Sequence, residues 1–185
     1  MLGSTKGGSP RITSSRQGQL DQLCGVYAIV NAAQLAVGRN LQACERLKLF
    51  RELILALGRT RLRTAMLDGL TGPELIAAVR KRDWLAGSGL DLQISAPYAR
   101  SAFACFDHFL DRLARDAADA NQAAILFVVQ PGRQHWTVLK RVSGRSITLY
   151  DSIGAEKLAR ARYDIRGRHR IEPARTLLLR SVRAH

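Results

Sequence analysis

Three residues far apart in the chain have the side chains that acyl chemistry on a thiol requires. Cys24 sits in Gln19-Leu-Asp-Gln-Leu-Cys24-Gly-Val-Tyr-Ala-Ile, where a polar, glutamine-bearing segment turns into an apolar run. A cysteine at the head of a helix feels the partial positive charge of the unbonded amides, and that charge favours thiolate over thiol. His135, in Gln-His135-Trp-Thr-Val, is a candidate base, and Asp151, in Leu-Tyr-Asp151-Ser, is a candidate to orient it. In such a triad the thiolate attacks an acyl carbon and the histidine passes a proton to the leaving amine. The aspartate holds the imidazole tautomer and stabilises its charged form. The oxyanion that forms needs two preorganised donors. One is the backbone N–H of Cys24; the other is a side-chain amide from Gln19, with Gln17 and Gln22 as rivals for that place. Gly25 removes bulk beside the nucleophile and permits close approach of a substrate backbone. Taken singly, each residue has a plainer reading: a buried inert thiol, a hydrogen-bonded strand histidine, a strand-ending aspartate. Their joint occurrence, in this order, favours catalysis.

The elements that must position them follow from hydrophobic periodicity. Cys24 to Val37 is apolar nearly all round, broken by Asn31 and Gln34, with Gly38 as its stop, so the spacing predicts a central buried helix. Leu41 to Leu57 predicts an amphipathic helix ending at Gly58, with Leu41, Cys44, Leu47, Leu49, Phe50, Leu53 and Leu55 as its apolar residues. Thr71-Gly-Pro-Glu74 opens another helix, with Thr71 as its cap. Leu90 to Ile94 reads as a short strand, and Ser101 to about Ala118 as a helix built on Phe103, Phe106, Phe109, Leu110 and Leu113. Strands then take over: Ala124 to Val129, a turn at Pro131-Gly132, His135 to Arg141, Arg145 to Asp151, and Arg175 to Val182. Helices first and strands later predict an α+β domain with an antiparallel sheet.

The hairpin carries a geometric expectation. If Val142-Ser143-Gly144 is a three-residue loop with Gly144 left-handed, Arg141 faces Arg145 and His135 falls directly across from Asp151. Directly opposed residues share a face, with Cβ atoms about 5 Å apart. Leu139 then faces Ile147 and Thr137 faces Leu149, while Trp136 meets Tyr150 and Val138 meets Thr148 on the other face. A two-residue turn, by contrast, turns Asp151 away from His135.

Bulk composition limits the classes of function. At 185 residues the chain is long enough for one domain with a real core, and we expect a flexible tail over 1–17 and a single catalytic domain over 18–185. No apolar run reaches the roughly 20 residues of a membrane span, and the first residues lack the apolar stretch of a secretory signal. A cytoplasmic location is expected, with export by a route lacking a classical signal left open. Three cysteines, Cys24, Cys44 and Cys105, make no disulfide framework, and Cys105-Phe-Asp-His108 lacks the second half of a zinc site. No metal or cofactor is expected. The formal charge of +14 favours acidic partners, and Arg160, Arg162, Arg166, Arg168, Arg170 and Arg175 face only Asp164 and Glu172 within the densest stretch. A solvated basic surface accounts for it equally well. Nucleic-acid binding is the less favoured reading, because aromatics make up only 6% and no nucleic-acid motif is present.

The glutamine, the cysteine at the head of an apolar helix, and the later histidine and acid resemble the papain-like cysteine peptidases. Within that superfamily Gln19-x-x-x-x-Cys24, an apolar helix containing Asn31, and His135-Trp136 running through a hairpin are similar to the Josephin-type deubiquitinases. The Cys24-Gly25 pair and an aspartate as third member are also similar to the peptidase domains of bacteriocin-exporting transporters. Asp151 stands where Josephin domains carry asparagine, and nothing between Gln34 and His135 is recognisable. The resemblance implies a papain-like fold, with the cysteine helix packed on a C-terminal antiparallel sheet. It also implies a thiol hydrolase acting on peptide or isopeptide bonds, ubiquitin or ubiquitin-like conjugates among them, with Trp136 lining a narrow cleft. Acyl transfer, as in a transglutaminase or a host-modifying toxin, uses the same acyl-enzyme and stays open. So does a binding module that keeps the fold without catalysis.

Overall fold

The computed structural model of the chain describes Ser14 and residues 22–81, 83–152 and 157–182. The tail expected over 1–17 (Ser14 apart) lies outside the described residues, as do Gln17 and Gln19.

Helix α1 (Cys24–Val37) forms where expected. Eleven of its residues are buried, Asn31 and Gln34 among them, which is why the run is apolar on every side. It ends at Gly38, whose φ of 72° lets its N–H turn back to Leu35 O at 3.1 Å. Gln34 is no misfit in this core, because its Oε1 accepts the N–H of Leu41 at 3.3 Å.

Helix α2 (Ala43–Leu57) begins with Gln42 N–H donating to Glu45 at 2.7 Å, and Arg39 grips the same carboxylate with two bonds of 2.7 Å. That clamp holds the Glu45 carboxyl well below its usual range, at about 2. Its buried stripe is Leu49, Leu53 and Leu57, at the i, i+4 spacing of one helical face. Leu47 and Leu55 do not join it: each is two residues off the stripe, about 200° round the helix, and they are 68% and 61% exposed. Helix α3 (Arg59–Asp68) follows directly and buries only Ala65, so it left little periodic signal to read. Helix α4 (Gly72–Val79) opens on the expected Thr71, whose N–H donates to Glu74 at 2.9 Å. A short α5 (Asp83–Ser88) leads into strand β1 (Leu92–Ser95).

Helix α6 (Phe106–Asp116) is shorter than its predicted span. Cys105 is still extended (φ −153°), and Phe103 packs on Phe109 from outside the helix, ring centroids 5.2 Å apart. The strands are β2 (Gln122–Gln130), β3 (Arg133–Val142), β4 (Ser146–Tyr150), β5 (Lys157–Ala159), β6 (Arg170–Ile171) and β7 (Leu177–Ser181). They make one antiparallel sheet in the order β1-β7-β2-β3-β4-β5, with β6 also paired to β2.

Both faces of the sheet are covered. Ile125, Phe127, Trp136, Val138, Tyr150 and Leu179 share a core with α1, α2 and α4. On the other face Leu126, Val128, Leu139 and Leu149 meet Phe109, Leu110 and Leu113 of α6. Burial on both sides explains why β2 reads as an unbroken apolar run. The class is therefore α+β, with an N-terminal helix bearing Cys24 packed on an antiparallel sheet.

Candidate active site

Cys24 is the first residue of α1, and among the described residues no side chain caps the helix there. The N–H groups of Val26 and Tyr27 both turn back to Leu23 O, at 2.9 and 3.1 Å. The amides of Cys24 and Gly25 are thus left at the head of the helix, where a developing oxyanion can use them. A Cβ on Gly25 would come within 3.1 Å of Leu75 and 3.2 Å of Trp136. The close approach that needs glycine here is therefore made by α4 and β3 rather than by a substrate.

His135 and Asp151 come from neighbouring strands, by a register that differs from the expected one. Val138 pairs with Tyr150 and Leu139 with Leu149, then Arg141 with Thr148 and Val142 with Ile147. The loop is also different. Ser143 N–H donates to Ser146 O at 2.8 Å and Ser143 Oγ accepts Ser146 N–H at 3.1 Å, leaving Gly144 and Arg145 at the tip. The serine side chain closes the turn, so no left-handed glycine is needed, and Gly144 has no positive φ.

Regular pairing from this two-residue tip would set Asp151 opposite Val138, on the Trp136 face. A β-bulge prevents that. One extra residue, Lys140, is accommodated between Leu139 and Arg141, and the pairing beyond it shifts by one. Continued past Val138 and Tyr150, the shifted register sets Asp151 opposite Thr137, on the face of His135. The two residues are diagonal neighbours, a separation that long side chains bridge. His135 Nε2 lies 2.7 Å from Asp151 Oδ2.

With Nε2 engaged, Nδ1 is the ring nitrogen left for Cys24, which is close enough to influence the imidazole. Cys24 and His135 are each 8% exposed and Asp151 only 1%. Burial works against a charged imidazole, but the bonds and charges of Asp151 and Cys24 outweigh it and raise the His135 pKa to about 9. At neutral pH the pair is an imidazolium against a buried carboxylate, each compensating the other's desolvation.

Trp136 was expected to line a cleft, yet it is 1% exposed. Its indole N–H donates to Leu70 O at 2.9 Å, and its ring lies 4.8 Å from that of Phe127. It therefore ties the α3–α4 segment to the strand that carries the base. Gln22 N–H donates to Met66 O at 3.3 Å, so the same segment borders the start of α1. Arg175 completes the fastening: its guanidinium lies 4.9 Å over Phe127, its Nε is 2.8 Å from Glu172, and its stem occupies the space a Cβ on Gly72 would need. The sequence shows this fastening only faintly, in Gly72 and in the Trp beside the histidine. Among the three glutamines, Gln22 is exposed, and the other two lie outside the described residues. Cys105 and His108 sit, exposed, at the start of α6.

No protein-family model and no curated protein matches this chain.

Proposed function

We propose that this protein is a thiol hydrolase that cleaves peptide or isopeptide bonds through Cys24, His135 and Asp151. The observation that carries the proposal is the histidine bonded to a buried aspartate, 2.7 Å away, beside a cysteine that heads a helix. The thiolate of Cys24 adds to the carbonyl carbon, and the carbonyl electron pair moves onto oxygen. The amides at the head of α1 stabilise that oxyanion, with Gln19 as the proposed side-chain donor. The C–N bond breaks as His135 gives its proton to the leaving nitrogen, forming a thioester. Water, deprotonated by the now neutral His135, then adds to the thioester and releases the acid and the thiolate. Asp151 keeps Nε2 protonated throughout. Where an amine replaces that water the same site is an acyltransferase, and only the second nucleophile differs.

The papain-like resemblance supports peptide bonds as substrate, and ubiquitin-type conjugates are the class it favours. Catalysis is preferred to nucleic-acid binding because the densest basic stretch is partly committed: Arg160 is 2.6 Å from Asp107, while Arg170 and Arg175 share Glu172 at 2.8 Å each.

The test is the alkylation rate of each cysteine against pH, read by peptide mass spectrometry. Cys44 and Cys105 are exposed and Cys24 is buried, so access alone ranks Cys24 last. We expect Cys24 to react fastest and to slow in His135→Ala. If Cys24 is the slowest of the three and ignores His135, the proposal fails.

A further inference from the structure

At the edge of the sheet farthest from β5, strand β1 is paired to β7 on one side and to no other strand among the described residues. Val182 N–H donates to Asp91 O at 2.9 Å, so residues 91 and 182 are a bonded pair of the β1–β7 ladder. Antiparallel alternation then makes Gln93 and Ser95 the residues bonded to β7 and turns the N–H and C=O of Ile94 outward. The C=O of Leu92 points the same way, while its N–H is taken by Leu90 O at 3.0 Å.

A groove of about 900 Å3 runs along this edge between β1 and helices α4 and α5. Its two sides differ. Ile76, Leu85 and Ile94 make one side apolar, whereas Gln93, Arg180 and Gln122 are cross-strand neighbours and form a polar row on the other. Arg80 stands at the rim. Among the described residues no acidic side chain lines the groove. Arg80 and Arg180 are exposed, and neither enters an ion pair among the described residues.

We infer that this edge binds an extended protein segment in which apolar and acidic residues alternate. Such a segment adds to β1 as a further strand, taking main-chain bonds from Ile94 and Leu92. Alternate side chains of a strand point to opposite faces. One set therefore enters the apolar side against Ile76, Leu85 and Ile94, with Arg80 at its rim, and the other meets Arg180. A nucleic acid offers neither the main-chain ladder nor the apolar half of that pattern. From β1 to β3 is three strand spacings, about 14 Å, so the segment docks apart from the triad. The inference stands without the catalytic reading.

The test uses the full chain carrying Cys24→Ala and a fluorescein-labelled peptide of roughly six residues alternating valine and aspartate. Anisotropy should show saturable binding that weakens with added salt. Arg80→Glu with Arg180→Glu should weaken it about tenfold. Ile94→Pro should also weaken it, because the N–H that proline removes faces away from β7 and the ladder is kept. Asp151→Asn should leave binding unchanged. Equal binding of a peptide of the same composition with its aspartates grouped together would overturn the inference, as would indifference to the double arginine reversal. Two further results would also overturn it: a single-stranded oligonucleotide that displaces the peptide at lower concentration, or β1-mediated self-association of the free protein.

Discussion

At the β3–β4 end of the sheet His135 and Asp151 are 8% and 1% exposed and bonded to each other, while at the β1 edge Arg80, Arg180 and Gln93 are exposed and no carboxylate among the described residues lines their groove. Both regions use strand alternation to put polar groups on one face. They differ in solvent. Burial opposes a charged imidazole, yet the unscreened carboxylate of Asp151, with Cys24 beside it, raises the His135 pKa to about 9. The same charges at an exposed edge are screened and serve to steer and select a partner. A chemical step needs the first arrangement; recognition needs only the second.

The sharpest way to break this contrast is Cys24→Ala. It should abolish hydrolysis, by about a thousandfold or more in kcat/KM, and leave peptide binding at β1 untouched. A parallel loss of binding, measured by anisotropy, would mean that the two regions are one site.

Asp151→Asn should come next, lowering kcat/KM about a hundredfold or more by removing the group that holds the imidazole. The pH profile carries the sign. Asp151 raises the His135 pKa, so the alkaline limb of activity, near pH 9 in the native protein, should move to lower pH in the variant. Stability follows the same group. A raised histidine pKa stabilises the fold fully below about pH 6.5, its unfolded value, and that contribution is lost as pH rises through about 9. Urea melts at pH 6 and pH 10 should show the loss in the native protein and much less of it in His135→Gln.

Trp136→Phe keeps the ring against Phe127 but leaves Leu70 O without its donor. We expect a cost of about 1–3 kcal/mol in unfolding free energy. A rise in KM larger than any fall in kcat would show that the α3–α4 segment it fastens shapes the cleft.

The smallest effect is expected from deleting Lys140. The bulge disappears, yet Val138 still meets Tyr150 and Leu139 still meets Leu149, so His135 and Asp151 stay on one face. Activity and its pH profile should change little. Loss of the alkaline limb in that variant would show that the strand's added twist, as well as its register, aligns the pair.

Much of the scaffold was legible from residue types. The all-round apolar run from Cys24 announced a buried helix because a helix in the middle of a domain has no polar side to show. Thr71 and Glu74 announced the start of α4 because their bonds are local. Helix α3 escaped notice because it buries a single alanine, and β5 and β6 escaped because two or three residues hold no period. Leu47 and Leu55 misled because hydrophobicity does not reveal which of several leucines a helix turns inward.

The sequence by itself determined the cast of the site: a cysteine where a helix begins, then a histidine and an aspartate on strands joined by a short turn. Those facts are local, because residue type, helix start and strand alternation act over a few residues. Whether Asp151 would face His135 was decided in three dimensions. A serine closed the loop at two residues, a register that alone would have turned the carboxylate away, and the bulge at Lys140 turned it back. A one-residue shift reverses every side chain of a strand, and the choice among registers belongs to the packing of Leu139, Leu149, Val138 and Tyr150 against the two layers on either side of the sheet.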